Sequence, residues 1–576
     1  MKWLVITLMV CLSVKADILP ASRSVDWSQV GYEGGIPSWL ASSTLSGIDN
    51  TGASDVSGAI NSALSSCPYG TAVLLPAGKF LVTSTVNMAS GAVLRGSGTN
   101  TILIGNINGP IVKWYQSFYY INQTNISSGY TKGSTNLVLI GLPSDLAVGT
   151  RIQITESNDT SFVNPSGIDG SVGEFAMGQY TEIQAINGNT LTVWPPLYMN
   201  YTNTCSPFIY WPVNAVSPQY NMLTQSGIEN MVVSNINTGS SELNFQMDYC
   251  SRCWIKDVQS WWGSVCHVWL YNTFRCEIRD SSFNGVISPV TSSRCYGMQI
   301  GTPNSPHPSS KTSALLCENN VWTGCRGSVV VGYGASGCVF GYNYFVNTTN
   351  ESAGYLRCDV FIHSAHPTMN LFEGNIGQCI NADDFHGSSS HNVVFRNYWR
   401  GRDLTNSDTS SLRSIEMDAW QRYYSTFGNV AGYLNISNDM AALSSPTGGT
   451  LALALVPDTS WNYQNWYKAL MFGYDGEGGG VTQNDTLVYS TAITTGNFDY
   501  VKNSVTWDTN GVQAIPVSLY QSGKPSWWDG SPWPPIGSDL SPMVGTIPAY
   551  DRYYGITHQA TNSPTLSFRF NSIKPQ

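Results

Sequence analysis

Ionisable side chains concentrate between residues 363 and 402 of a chain in which only 11% of the 576 residues are charged. The carboxylates, imidazoles and guanidinium groups of this stretch are those of His363, His366, Glu373, Asp383, Asp384, His386, His391, Arg396, Arg400 and Arg402. Carboxylates and imidazoles transfer protons when their surroundings bring the pKa near the working pH. The concentration therefore indicates a catalytic site, although aspartates that cap turns and histidines that donate to backbone carbonyls would give a similar composition.

Hydrolysis of a glycosidic bond is the first chemistry that these residue types suggest, because it needs one protonated carboxyl group and a second carboxylate. Asp383 and Asp384 are the leading pair, and neighbours on an extended strand point to opposite faces unless the segment bends. Glu416 and Asp418 are a reserve pair, since alternation puts both on one face of a strand. The further candidates are Glu373, His386 and His363 for catalysis, and Arg396, Arg400, Trp399 and Trp420 for binding the substrate.

A lyase is the main alternative, because β-elimination beside a uronate needs a base for the α-proton and a cation to neutralise the carboxylate. His363 or His386 would be the base, and Arg396 or Arg400 the cation. A metal site formed by His363, His366, Asp384 and His386 ranks third, since their spacing matches no standard site. We therefore expect no metal or other cofactor in the reaction, with a calcium ion held by acidic residues left open.

Composition narrows the choice of partner. The net charge of −10 and the shortage of Lys and Arg argue against nucleic acid, which needs many cationic phosphate contacts. The 19 tryptophans and 31 tyrosines suit stacking on sugar rings, as well as cores and interfaces. These features favour a neutral or weakly charged polysaccharide as the partner, and they leave the oligomeric state open.

The first residues are typical of an export signal. Lys2 precedes an apolar run from Trp3 to Val14, which is shorter than the ~20 residues of a membrane span. Cleavage near Ala16 would leave twelve cysteines, a number suited to disulfides in an oxidising compartment, with buried thiols as the alternative. We expect a secreted, extracellular protein without a membrane span. Sequons for Asn-linked glycans occur at Asn122, Asn125, Asn158, Asn200, Asn347, Asn350, Asn435 and Asn484.

Short apolar strands that end in Asn or Asp recur along the middle of the chain. Their last polar residues, which step by 23, 39, 24, 32 and 22, are Asp257, Asp280, Asn319, Asn343, Asn375 and Asn397. Steps of 22–24 suit one coil of a β-helix, and longer steps suit a coil that carries a loop. Cys253 and Cys276 each lie four residues before their Asp, so they should stack on adjacent coils as a disulfide or a thiol ladder.

Two regions depart from this rhythm. Between residues 117 and 210, two β-type stretches and a hairpin with an Asn187-Gly188 turn indicate an inserted β subdomain. Beyond residue 444 the chain is rich in Gly, Trp and Pro, and prolines such as those of 524–535 cannot continue a strand ladder. We expect this tail to pack on the coils.

The N-terminal region resembles the opening of the pectate-lyase-like superfamily, which includes family 55 glycoside hydrolases and phage tailspikes. The stretches that carry the resemblance are Gly52–Leu64, Ala72–Val82 with its Leu-Pro-Ala-Gly, and Val93–Gly98. The resemblance implies an all-β fold, a right-handed parallel β-helix with an N-terminal capping helix near Val56–Leu64. It implies no catalytic residue, because lyases, hydrolases, epimerases and adhesins share the module.

Together these observations predict a signal peptide (1–16), an N-terminal cap with the first coils (17–116), an inserted β subdomain (117–210), main coils (211–443) and a C-terminal segment (444–576). We expect stacked coils of three parallel sheets from Ala72 to Tyr115 and from Tyr210 to Gly432. The expected function is cleavage of an extracellular polysaccharide, by hydrolysis first and β-elimination second. The third alternative is a non-catalytic carbohydrate-binding or adhesin β-helix, which would scatter its carboxylates instead of gathering them in one groove.

Overall fold

A computed structural model describes residues 18–161, 163–164, 167, 172–213, 221–237, 243–286, 295–301, 310–349, 356–403, 412–434, 468–474, 485–508 and 513–558. The predicted signal peptide and the sequons at Asn350, Asn435 and Asn484 lie outside these residues. Among the helices of the described part, none is long and apolar enough to cross a membrane.

Parallel strands form three stacks that run the length of the protein, as a right-handed parallel β-helix. The first stack consists of β1 (Ala41–Thr44), β3 (Thr71–Leu74), β6 (Ala92–Arg95), β16 (Gly227–Asn235), β18 (Trp254–Gly263), β20 (Glu277–Arg279), β24 (Leu316–Glu318), β27 (Val339–Gly341), β30 (Leu371–Glu373), β33 (Val393–Phe395), β36 (Ser425–Phe427) and β39 (Ile493–Thr495).

The second stack shares the long strands β16 and β18 with the first. Its own strands are β2 (Thr51–Asp55), β4 (Gly78–Val82), β7 (Thr101–Gly105), β21 (Ser282–Val286), β25 (Val321–Thr323), β28 (Tyr344–Val346), β31 (Ile376–Gly377), β34 (Tyr398–Trp399), β37 (Val430–Ala431), β40 (Asn497–Asp499) and the antiparallel β41 (Ser504–Thr506).

The third stack forms a separate sheet. It consists of β5 (Val86–Asn87), β8 (Pro110–Tyr115), β17 (Leu243–Ser251), β19 (Cys266–Phe274), β22 (Tyr296–Ile300), β26 (Gly327–Val331), β29 (Val360–Ile362), β32 (Ile380–Ala382), β35 (Arg413–Asp418) and β38 (Lys468–Tyr474), with β15 (Leu223–Thr224) beside β17 and β23 (Thr312–Ser313) beside β19. The prediction of three parallel sheets is confirmed. The coils also extend further than expected, because β1 and β2 precede Ala72 and β38, β39 and β40 follow Gly432.

Alternate residues of each strand point into a dry core, as the two-residue period of a strand requires. One inward column of the first stack runs through Ile255, Ile278, Cys317, Phe340, Phe372 and Val394, all buried and in register. The rings of Phe340 and Phe372 stack with centroids 4.9 Å apart. Burying each such side chain contributes about 1.5–3 kcal/mol, so the column stabilises the coil register.

A ladder of buried asparagines lines the turn between the first and second stacks. Each amide nitrogen donates to the amide oxygen of the next coil at 2.9–3.1 Å, in the order Asn320, Asn343, Asn375, Asn397, Asn429 and Asn497. The residue before each of them has a positive φ, as at Asn319 and Gly374. The sequence-derived corner series was therefore one residue early at Asp257, Asp280 and Asn319, and the step from Asn320 to Asn343 is 23.

Three helices and four short 3-10 turns complete the described secondary structure. The helix expected over 56–64 is present as α1 (Ser57–Ser65), and its Ile60 and Leu64 join the main core cluster at the N-terminal end of the coils. The other helices are α2 (Thr486–Thr491) and α3 (Pro548–Tyr554), and the 3-10 turns are Ala21–Arg23, Trp27–Gln29, Gly98–Asn100 and Asn203–Cys205.

Six antiparallel strands between β8 and β15 close into a barrel. They are β9 (Tyr120–Ser128), β10 (Asn136–Leu139), β11 (Arg151–Thr155), β12 (Gly178–Asn187), β13 (Thr190–Trp194) and β14 (Phe208–Val213). The hairpin predicted at Asn187-Gly188 joins β12 to β13, and Gly188 has a φ of 57°. Because β14 ends at Val213, the barrel runs past the boundary expected at residue 210.

The cysteines differ from the expected framework of disulfides. Cys253 and Cys276 directly precede the in-register residues Trp254 and Glu277, which confirms the predicted stacking. Both are buried thiols, and the Sγ atoms of Cys250 and Cys276 lie 3.9 Å apart. Among the described residues one disulfide joins Cys358 to Cys379, and the other ten cysteines are thiols outside that bond. Most therefore pack as small apolar side chains, as the alternative anticipated.

Candidate active site

The outward face of the third stack brings together residues of the predicted site. Ile362, Ala382 and Met417 are in register on β29, β32 and β35. The residues that follow them, His363, Asp383 and Asp418, therefore form a column on adjacent coils, about 4.8 Å apart. Asn381 pairs with Glu416 two positions earlier on the same face. The expectation that Glu416 and Asp418 share a face thus agrees with the register.

A short hydrogen bond joins two members of this column. Nδ1 of His363 lies 2.6 Å from Oδ2 of Asp383, whose side chain is 2% exposed, whereas the His363 side chain is 22% exposed. The bond assigns the Nδ1 proton to the side facing Asp383 and leaves Nε2 as the acceptor. The arrangement can take a proton from a substrate or water and stabilise the resulting imidazolium.

Aromatic rings surround His363. Phe385 stacks with it at a centroid distance of 6.2 Å, and His386 approaches edge-on at 4.6 Å. The amide of Phe385 donates to Oδ1 of Asp383 at 3.2 Å, so both carboxylate oxygens are engaged. Asp384 is buried beside this turn. The predicted residues His363, Asp383, Asp384 and His386 are thus gathered in one place.

The barrel supplies one wall next to this cluster. A Cβ on Gly167, between β11 and β12, would lie 2.9 Å from the Gly387 nitrogen, so Gly167 packs directly on the Phe385–Gly387 turn. The Asn164 amide donates to the Ser388 hydroxyl at 2.8 Å. The inserted subdomain therefore contributes to the surroundings of the site and not only to the outside of the coils.

The column continues toward the N-terminal coils. Its positions, followed through the strand register, are Tyr115, Asp248, Tyr271, Gly301, Gly332, His363, Asp383 and Asp418. Burial raises the pKa of Asp248 to about 7, and Lys113 lies over the exposed Tyr115 ring at 4.4 Å. Sequence reasoning missed these residues because nothing local marks them. The matching triplets Phe361-Ile362-His363, Asn381-Ala382-Asp383 and Glu416-Met417-Asp418 could have revealed the register.

Glu373 does not belong to this column. It lies on β30 of the first stack, where it accepts hydrogen bonds from Tyr342 Oη at 3.0 Å and the Leu519 amide at 2.9 Å. Burial raises its pKa to about 7. On the adjacent coil, Gly341 pairs with Glu373 and leaves space for the Tyr520 ring. The Tyr520 hydroxyl donates to Glu318 at 2.7 Å. Glu373 therefore anchors the C-terminal segment, a role that the sequence prediction did not assign.

Three of the four predicted substrate-binding residues are also placed elsewhere. Arg396 donates to both oxygens of Asp539 at 2.8 Å beneath the C-terminal segment. Arg400 is buried next to Tyr344, and Trp399 is fully buried in the main core, so it cannot stack on a sugar. Trp420 is half-buried two residues after Asp418 and carries Arg422 over its ring at 4.0 Å. Trp420 alone of the four remains near the column.

The other histidines of the stretch have structural surroundings. His366 is buried, with Nδ1 3.2 Å from the Ser388 hydroxyl and Nε2 2.8 Å from that of Ser390. His391 stacks on Tyr423 at 4.8 Å. Because the ring nitrogens of His366 face serine hydroxyls, the third-ranked metal site of His363, His366, Asp384 and His386 does not form.

Comparison with known proteins agrees with the resemblance seen in the N-terminal residues. Residues 44–239 match the family model described as rhamnogalacturonase A/epimerase, pectate lyase-like. This range covers the first coils and the barrel, and the column around His363 lies outside it. No curated protein matches the chain.

Solved structures of similar fold share little sequence with this chain. The tailspike protein gp49 of Pseudomonas phage LKA1 is 13% identical over 65% of this chain and 63% of its own, with a TM-score of 0.45. The chain thus spans less than two thirds of that protein. The Gp54 tailspike of Acinetobacter baumannii bacteriophage AP22, solved with capsular saccharide, is 12% identical over 67% and 68%, with a TM-score of 0.37. An alginate lyase from Paenibacillus sp. FPU-7 is 10% identical over 75% and 99%, with a TM-score of 0.35.

Proposed function

We propose that the protein is a secreted enzyme that cleaves a polysaccharide by glycosidic hydrolysis on the outward face of the third stack. The observation that carries the proposal is the column His363, Asp383 and Asp418, with its 2.6 Å hydrogen bond between imidazole and carboxylate. A non-catalytic β-helix would not need to gather acids and a partly exposed histidine in one place. The family model matched by residues 44–239 adds support, because its name is that of polysaccharide-acting enzymes.

In this proposal the carboxylates have different catalytic roles. Asp383 orients His363 and stabilises its protonated form. Asp384, next along the chain, and Asp418, on the adjacent coil, supply the general acid and the second carboxylate. Asp384 directly follows Asp383, whose backbone position is one coil, about 4.8 Å, from that of Asp418, so the two carboxylates belong to neighbouring coils as a glycosidase pair requires. Trp420 stacks against the sugar beside Asp418.

The substrate is a chain and not a single sugar. From His363, four steps along the column lead to Asp248 and its flanking Tyr115 and Tyr271, a distance of about 19 Å at one strand spacing per step. Tyrosine rings and Lys113 at this end suit the faces and hydroxyls of further sugar units. Binding far from the cleaved bond would favour a polymer over a disaccharide.

A lyase is the second candidate, favoured by one observation. Arg357 lies over Phe361 at 4.3 Å, and Phe361 lies 6.4 Å from His363, with both residues on the outward face. A half-buried cation and a partly exposed imidazole thus lie on the same aromatic ring, and β-elimination beside a uronate requires such a cation and base. Arg357 replaces Arg396 and Arg400, which the structure places elsewhere.

A polysaccharide panel tests the proposal. The full chain is incubated with neutral and uronate-containing polymers, and new reducing ends are read together with the absorbance of unsaturated uronates. Reducing ends without that absorbance support hydrolysis, and both together would replace it with the lyase. His363→Ala and Asp418→Asn should each lower the rate by about 10²–10⁴-fold. Glu373→Gln, an equally buried carboxyl on another stack, is the matched control and should keep the rate.

A further inference from the structure

A histidine and two aspartates converge within the C-terminal segment, away from the column of the third stack. They are Asp529, in the loop after Trp528, Asp551 on α3, and His558 just beyond that helix. One potential ligand atom from each lies within 4.8 Å of the other two, and this is the one such group of three among the described residues.

The two carboxylate oxygens of Asp551 differ in their hydrogen bonds. Its side chain is 2% exposed, and Oδ2 accepts from Thr546 Oγ1 at 3.1 Å and lies 2.8 Å from His558 Nε2. Oδ1 is buried without a hydrogen-bond partner. Buried polar atoms are rarely left in this state, and an unmade bond costs about 1–3 kcal/mol. A buried carboxylate oxygen without a partner, in a group that also holds a histidine and a second carboxylate, indicates a missing positive charge.

Asp529 brings a second carboxylate to this group. Its Oδ1 accepts from the Ser531 backbone amide at 3.1 Å and hydroxyl at 2.7 Å, and one of its oxygens lies within 4.8 Å of a ligand atom of Asp551 on α3. Two carboxylates that repel each other are held together by the fold, as in sites that receive a cation.

We propose that Asp529, Asp551 and His558 bind a divalent transition-metal ion of the zinc type, with water completing its coordination. An imidazole among the ligands favours such an ion over calcium or magnesium, which prefer oxygen alone. Zinc ligands lie about 2.0–2.2 Å from the ion, so the three atoms must approach to about 3.4 Å of one another. His558 Nε2 would then coordinate the ion in place of its contact with Asp551.

The ion would join two parts of the C-terminal segment that pack on neighbouring residues of one coil. Trp528, next to Asp529, packs on Tyr342 at 4.9 Å, and Tyr550, next to Asp551, packs on Tyr344 at 5.0 Å. Its role is therefore structural. It holds the segment on the coils, and it takes no part in cleavage of the substrate.

The test is a titration of the chelator-treated full chain with Zn²⁺, followed by calorimetry and thermal unfolding. A His363→Ala background removes the imidazole of the third stack as a competing ligand. We expect one zinc ion per chain and a rise in Tm, with affinity reduced at least about tenfold by His558→Gln, since even outer-sphere losses cost 10–100-fold. Asp529→Asn should act similarly, and Glu174→Gln, which removes an exposed carboxyl on the barrel side, should not.

Limited proteolysis gives an independent readout. Zinc should slow cleavage within residues 513–558 in the background protein and not in its His558→Gln form. Equal zinc affinity in the background and the His558→Gln protein would overturn the proposal, as would an equal effect of Ca²⁺. Because His558 is 29% exposed in its side chain, its replacement should leave the fold intact.

Discussion

His363 and Asp383 lie on neighbouring coils of the third stack, and the imidazole Nδ1 is 2.6 Å from the carboxylate Oδ2. If this bond sets the proton of His363, the two residues act as one unit. Asp383→Asn should reverse the donor and acceptor at this contact and lower the rate by about 10²–10⁴-fold. The double variant with His363→Ala should be little slower than either single variant. Rate losses that multiply would contradict the pairing.

The disulfide between Cys358 and Cys379 lies just before β29 and β32, the two strands that are followed by His363 and Asp383. Cys358 lies two residues before β29, and Cys379 lies one residue before β32. A loop of this length contributes about 3 kcal/mol to stability. The double change to serine should lower the free energy of unfolding, measured in urea, by about that amount. It should also lower the rate of substrate cleavage. The free Cys338 changed to serine is the control, and an unchanged midpoint in the double variant would count against the bridge.

Glu373 predicts a dependence of stability on pH. Its pKa rises from 4.5 to about 7 in the folded chain, because burial disfavours the charged form. The folded state then holds the proton more firmly, so stability falls as the pH rises from about 4.5 to 7. Glu373→Gln should reduce this slope in unfolding curves recorded across that range. Glu318, with a pKa of about 7, retains its own share, and an unchanged slope would exclude Glu373 as a source.

The asparagine ladder predicts a cost for removing one rung. Asn375 accepts from the Asn343 backbone and side-chain nitrogens at 2.9 and 3.1 Å, and donates to Phe340 O at 2.8 Å and Asn397 Oδ1 at 2.9 Å. Each buried group that loses its partner costs about 1–3 kcal/mol. Asn375→Ala should therefore lower the free energy of unfolding by at least about 2 kcal/mol. The exposed Asn136→Ala on the barrel should cost little, and similar losses in both would argue against the ladder.

The coil architecture could be predicted from sequence because it leaves a local signature. Strand spacing predicted the coils, and the step of 22 from Asn375 to Asn397 agrees with the observed register, in which Glu373 pairs with Phe395. The one-residue error at Asn319 arose because the positive-φ position and the ladder position are adjacent, and asparagine suits both. Spacing alone does not separate a left-handed turn residue from the amide that follows it.

The division of the site could not be predicted in the same way. Glu373 and Asp383 are close in sequence, yet one faces the C-terminal segment and the other the third stack. What distinguishes them is a contact with Leu519, which no periodicity encodes. The prediction that Trp399 binds sugar was wrong for a similar reason. The sequence pattern of a tryptophan next to charged residues does not distinguish a ring that faces solvent from one that packs on Phe345 in the core.

The unequal spacing of the asparagine ladder bears on how such a protein can change over time. Successive rungs are separated by 23, 32, 22, 32 and 68 residues, while the amide-to-amide distance stays at 2.9–3.1 Å. Added residues thus enlarge a coil only on the sides away from this corner. Since longer loops cost little extra closure entropy, the loops between the strands can be lengthened or exchanged while the stacked coils keep their spacing. New specificities could accordingly arise by insertion instead of by redesign of the framework.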